Sequence, residues 1–150
     1  MILRILVDGD AAPQREDIAA IGKKYDVEVI VYMDYAHLVE SEDYTIKQCS
    51  VGSDSVDMMI VKDVKENDIV ITQDYGLSSL VLLKKAKVLH VNGSIIDENN
   101  IETLLMQRFV GAKLRKENKH LKGPKKRTKE TEDRFIESLE KLIKQGVKYE

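Results

Sequence analysis

The chain has 150 residues, 43% of them hydrophobic, with one cysteine and a formal net charge of −2, which suits a single domain over 1–150 with a real core. No apolar run approaches the ~20 residues of a membrane span, the start lacks the basic region and cleavage site of a signal peptide, and the single Cys49 excludes an intrachain disulfide; together these predict a cytoplasmic protein without a membrane partner. The near-neutral sum hides a polarised chain: residues 1–112 carry 11 basic and 19 acidic residues, 113–129 carry nine basic and one acidic, and 130–150 carry four basic and six acidic.

Ile2 to Val7 (I-L-R-I-L-V) is short and mostly apolar, as a buried strand should be. It runs into Asp8-Gly9-Asp10, a loop with Pro13, and a helix over 14–25 with Ile18 and Ile21 inward. Val27 to Met33 reads as a second strand and Tyr44 to Val51 as a third. Cys49, with no histidine close in sequence, reads as a buried structural thiol. Ser53 to Asp63 predicts a helix with Val56, Met59, Ile60 and Val64 on one side. Asp68 to Thr72 is a buried strand, Gly76 to Lys85 a helix, and Lys87 to Val91 the last strand, followed by a turn at Asn92-Gly93. Residues 100–117 predict a long amphipathic helix with Ile101, Leu104, Leu105, Phe109 and Ala112 as its apolar positions. Residues 113–129 are a basic helix end and a loop containing Gly123-Pro124. Residues 130–146 close the domain, with Thr131 to Gln145 helical, Phe135, Leu139, Leu142 and Ile143 inward, and Thr128 or Thr131 as its cap. The βα alternation predicts an α/β fold: a central parallel sheet of four or five strands, the first interior, with helices on both faces.

In such a sheet all strand carboxyl ends open on one edge, where open α/β sheets hold their ligands. Three acidic clusters fall there. Asp8 and Asp10 follow the first strand, Asp54 and Asp57 open the helix after the third, and Asp74 follows the fourth. The i,i+3 spacing puts Asp54 and Asp57 on one helical face. Each acid near a helix start also has a plainer use, as a cap or a partner of the helix dipole. Taken together, four or five carboxylates in one pocket repel one another and call for a cation. Hard Mg²⁺ or Mn²⁺ suits oxygen ligands and can activate water and stabilise a transferring phosphoryl group.

These motifs resemble those of the bacterial YaiI/YqxD-type family, a group with a PIN-like fold. Val7-Asp8-Gly9-Asp10-Ala11-Ala12-Pro13 is similar to its V-D-A-D-A-C-P opening, Asp54-Ser55-Val56-Asp57 to its D-x-A-D segment, and Asp68 to Asp74 to its D-I-V-V-T-x-D stretch. Val91-Asn92-Gly93, Asn100-Ile101, Arg108 and Lys122-Gly123-Pro124 match later motifs, so the resemblance covers nearly the whole chain. The chain departs from the pattern at Ala12, where the family usually has cysteine, which argues against that cysteine being indispensable. It also has Gly9 for the common alanine. The resemblance implies a PIN-like three-layer α/β/α domain. PIN-like domains are mostly Mg²⁺- or Mn²⁺-dependent nucleases with clustered acids, which implies hydrolysis of phosphodiester bonds in RNA or DNA. Asp8, Asp54, Asp57 and Asp74 would be the metal ligands, and Asp10 would bind the metal or orient one of its ligands. The transfer of activity is by analogy, because fold alone does not fix function.

The basic segment supplies candidate phosphate contacts if it flanks the acidic pocket: Arg115, Lys116, Lys122, Lys125, Lys126 and Arg127, with Arg108 from the long helix. A charge run is more often the mark of a solvated helix end and loop. Few aromatics accompany it, so a base-stacking platform is not supported. Nucleic acid, RNA ahead of DNA, is the expected partner, and the sequence is compatible with a homodimer. His37, His90 and His120 lack metal-ligand spacing, and His90 reads as a satisfied strand residue. Two other functions fit parts of the pattern. A haloacid-dehalogenase-like phosphatase would use Asp8 as nucleophile and Asp10 as acid–base, although Asp54, Asp57 and Lys62 fit its order poorly. A non-catalytic RNA-binding protein would keep the fold and a vestigial acidic site.

Overall fold

A computed structural model describes residues 3–9, 13–34, 44–49, 55–117 and 127–147. The first half runs β1 (Arg4–Asp8), α1 (Arg15–Lys24), β2 (Glu28–Asp34), β3 (Thr45–Cys49) and α2 (Ser55–Asp63). The second runs β4 (Ile69–Thr72), α3 (Tyr75–Leu83), β5 (Lys87–His90), β6 (Ile95–Ile96), α4 (Ile101–Glu117) and α5 (Lys129–Val147). The strands form one sheet in the order β3-β2-β1-β4-β5-β6. β1 to β5 are mutually parallel, with β1 interior between β2 and β4. The chain order reverses between β1 and β4, and the crevice outside the carboxyl ends at such a switch point is where open α/β sheets bind ligands.

The sheet does not end at β5, as the sequence reading expected. β6 adds an antiparallel strand, Val88 facing Ile96 and Leu89 facing Ile95. Two residues are too few to carry a strand period, and the turn that returns them depends on one backbone: Gly93 sits at φ +93°. A Cβ there would come within 2.9 Å of the Phe135 backbone nitrogen in α5, so glycine allows both the turn and the close approach.

Alternation along the strands divides the core into two. Ile5, Val7, Ile69 and Ile71 face α1 and α5, packing with Ile18, Ile21, Phe135, Leu139, Leu142 and Ile143. Leu6, Val70 and Val88 face the opposite way, against Val56 and Ile60 of α2 and Leu77 and Val81 of α3. The result is a three-layer α/β/α fold. The inward residues predicted for α1 and α5 are the buried ones, Cys49 is buried, and Thr128 caps α5 by accepting from the backbone N–H of Thr131 at 3.2 Å. At the amino edge Arg4 grips the nearly fully buried Asp68, its Nε donating to Oδ1 at 3.2 Å, which ties β1 to the start of β4.

α4 departs from expectation. Its first turn packs on the core through Ile101 and Leu104, but none of its residues is buried, and Phe109, expected among its apolar core positions, is 67% exposed. The helix rests on α3 rather than on the sheet, so only a narrow stripe of it is covered.

Candidate functional site

Asp8 ends β1 and is only 7% exposed. Strand alternation turns its side chain to the same face as Leu6, and Thr72 to the same face as Val70. The two ends are neighbours because β1 and β4 pair in register, Leu6 with Val70. The Thr72 hydroxyl donates to Asp8 Oδ2 at 3.0 Å and accepts from the backbone N–H of Asp74 at 3.0 Å. Thr72 therefore joins Asp8 and Asp74 across the switch point. The sequence reading did not single out this residue. Its signal was a hydroxyl at the last position of an otherwise apolar strand.

Asp74 has the plainer use as well. It is the N-cap of α3, its Oδ1 accepting from the N–H groups of Gly76 at 2.8 Å and Leu77 at 3.2 Å. Arg108 reaches the same Oδ1 from α4, at 3.5 Å. These contacts all fall on one oxygen of the carboxylate. Asp57 lies half-buried in the first turn of α2. β3 runs parallel to β2, and α2 returns from its carboxyl end towards β4, so that turn belongs to the same edge as Asp8 and Asp74.

Among the described residues, no three acidic, histidine or cysteine side chains stand close enough together to form a metal set. Asp10 and Asp54 lie outside the described residues, as do Lys122, Lys125 and Lys126. Carboxylate oxygens are the donor type that Mg²⁺ and Mn²⁺ take. These are hard oxygen ligands, and Mg²⁺ commonly takes one or two carboxylates and completes its octahedron with waters and substrate phosphates rather than with a full protein cage.

The basic candidates divide. Arg115 and Lys116 are exposed in the last turn of α4. Arg127 is built into the other side of the edge. Its Nη1 donates to the Val91 carbonyl and its Nη2 to Gln14 Oε1, and the guanidinium lies 6.0 Å from the centre of the Phe135 ring. Burial lowers its pKa from the ordinary arginine value. It thus ties the turn after β5 to the start of α1, where Gln14 holds a left-handed φ of 61°. His90 ends β5 beside it. Its Nδ1 accepts from the backbone N–H of Asn92 at 3.0 Å, and its ring lies 5.3 Å from that of Tyr75. Burial pushes its pKa below the usual histidine range, which matches its reading as a satisfied strand residue.

No helix among the described residues is long and apolar enough to cross a membrane. The family model described as "Uncharacterized BCR, YaiI/YqxD family" matches residues 6–145. A UPF0178 protein of Clostridium kluyveri is 42% identical over 147 residues, 98% of this chain and 97% of its own. One from Clostridium tetani is 44% identical over 141 residues, 94% and 97% of the two chains. Another, from Natranaerobius thermophilus, is 40% identical over 144 residues, 95% and 97%. No solved structure matches the chain.

Proposed function

The chain belongs to the YaiI/YqxD family, and from that membership together with the carboxylate edge we propose that it is a metal-dependent nuclease of PIN-like type, hydrolysing phosphodiester bonds in nucleic acid, RNA in preference to DNA. The observation that carries the reading is the Asp8–Thr72–Asp74 linkage across the switch point. It ties the buried Asp8 side chain to the backbone of Asp74, so two acidic residues stand at neighbouring strand ends on the edge where open α/β sheets hold their ligands. In this reading Asp8, Asp54, Asp57 and Asp74 hold Mg²⁺ or Mn²⁺, and Asp10 orients a ligand beside them. When bound, the cation supplies water activation and charge stabilisation at a phosphoryl group.

The chain's own residues set the geometry. Thr72 fixes the rotamer of Asp8 by donating to Oδ2, and it fixes the backbone of Asp74 by accepting its N–H. The α3 N-terminus supports the Asp74 carboxylate through its partial positive charge. Arg108, exposed beside Asp74, is a counter-charge suited to a phosphate at the rim. Arg115, Lys116, Lys122, Lys125 and Lys126 would extend the basic contribution along the backbone of the substrate, so binding should weaken with rising salt, whereas Arg127 is already held by Val91 and Gln14.

The test is a cleavage assay of the full chain with Mn²⁺ or Mg²⁺ on single-stranded RNA and DNA, beside a small phosphate monoester. Metal-dependent cutting of RNA is expected. Hydrolysis of the monoester alone would replace this reading with the phosphatase, and RNA binding with no hydrolysis would replace it with the vestigial-site protein.

A further inference from the structure

The large exposed apolar side chains of the described residues fall on one layer: Met58 of α2, Leu80 and Leu83 of α3, and Met106, Phe109, Val110 and Leu114 of α4. None falls on α1 or α5. Contiguous exposed apolar surface on a soluble domain usually marks a docking face. On α4 the pattern is specific. Glu102, Met106, Phe109 and Lys113 are all exposed and are spaced four, three and four residues apart, which lines them up in one stripe along the helix. The opposite side of α4 is already used: Ile101 and Leu104 pack on the core, and Arg108 reaches Asp74.

We propose that this stripe pairs antiparallel with the same helix of a second copy of the chain, making a symmetric homodimer. A two-fold axis between residues 107 and 108 sets Met106 against the partner's Phe109 and Phe109 against the partner's Met106. It also brings Glu102 opposite the partner's Lys113, and Lys113 opposite the partner's Glu102. One self-complementary patch thus matches apolar to apolar at its centre and acid to base at both ends, as a two-fold interface requires. The two helix dipoles also run antiparallel. Nucleic acid is a poorer occupant: Glu102 and Glu117, both exposed, flank the stripe and repel a polyanion, and Phe109 is the one aromatic side chain among its exposed apolar residues.

The experiment is sedimentation equilibrium of the full chain and four variants, with circular dichroism to check folding; the altered side chains are exposed, so the fold should survive. The unaltered chain should be a dimer at micromolar concentration. Phe109→Glu, which places a charge at the centre of both halves, should weaken the dimer by at least ~100-fold. Glu102→Lys and Lys113→Glu should each weaken it by ~10-fold, and the double reversal E102K/K113E should return it to within ~3-fold, because the pairs are re-formed with their signs exchanged. A monomer at every concentration reached would overturn the proposal, as would a dimer indifferent to Phe109→Glu or a double reversal no tighter than the single ones. An unaltered chain that is a monomer and loses RNA binding on Phe109→Glu would assign the face to nucleic acid instead.

Discussion

Asp8→Asn is expected to lower Mn²⁺-dependent cleavage of single-stranded RNA by about a thousandfold, about 4 kcal/mol of transition-state stabilisation, while RNA binding stays as tight or tightens. The substitution keeps the shape of the side chain and an amide oxygen that can still accept from the Thr72 hydroxyl, so the strand ends remain joined. What it removes is the negative charge of a side chain that is only 7% exposed, and with it a large part of the attraction for a divalent ion. Substrate affinity moves the other way because one repulsion with the polyanion is gone. Single-turnover rates and filter-binding affinities measured on the same preparations check both halves. A rate within a few-fold of the unaltered chain would remove Asp8 from the chemistry.

Phe135→Ala is expected to cost about 3–5 kcal/mol of stability, read as a lower urea midpoint at unchanged slope. Phe135 is 1% exposed and sits among Leu139, Leu142, Ile143 and the strand residues they cover. Its effect should exceed simple cavity formation. The Arg127 guanidinium lies over its ring, and the Gly93 turn approaches its backbone, so the cavity would open where three elements meet. A loss below about 1 kcal/mol would mean that α5 contributes little to the core.

The parallel sheet was legible because its strands are buried on both faces and read as short apolar runs, I-L-V at β1 and I-V-I at β4. α5 was legible for the opposite reason, since one side of it is wet and the 3.6-residue period of Phe135, Leu139, Leu142 and Ile143 stands out. β6 was not legible: Ile95 and Ile96 are too few to show a period, and the turn that pairs them rests on one positive φ. α4 misled for a physical reason. Ile101, Leu104, Leu105, Phe109 and Ala112 were read as one apolar set, whereas Ile101 and Leu104 pack on the core and Phe109 and Ala112 are exposed. A sequence pattern alone does not separate burial in the fold from burial in a partner.

At the site, the placement of Asp8 and Asp74 at neighbouring strand ends followed from topology, because parallel strands bring their carboxyl ends to one edge, but among the described residues no three acidic side chains gather there as a metal set. The role of Thr72 did not follow from topology, since a threonine at a strand end has many uses and only the register of β1 on β4 shows what its hydroxyl meets. Arg127 illustrates the same limit. In sequence it belongs to a basic run, whereas in the fold it is an intramolecular tie between Gln14 and Val91.

The central claim is that the carboxyl edge holds a divalent cation, and Mn²⁺ binding followed by electron paramagnetic resonance tests it most directly, because free Mn²⁺ is counted without any substrate. The unaltered chain should take up one or two Mn²⁺ ions and release them to excess Mg²⁺. Asp8→Asn and Asp74→Asn should each weaken uptake by at least ~10-fold, about 1.4 kcal/mol. Uptake that is absent, or equal in all three chains, would contradict the account.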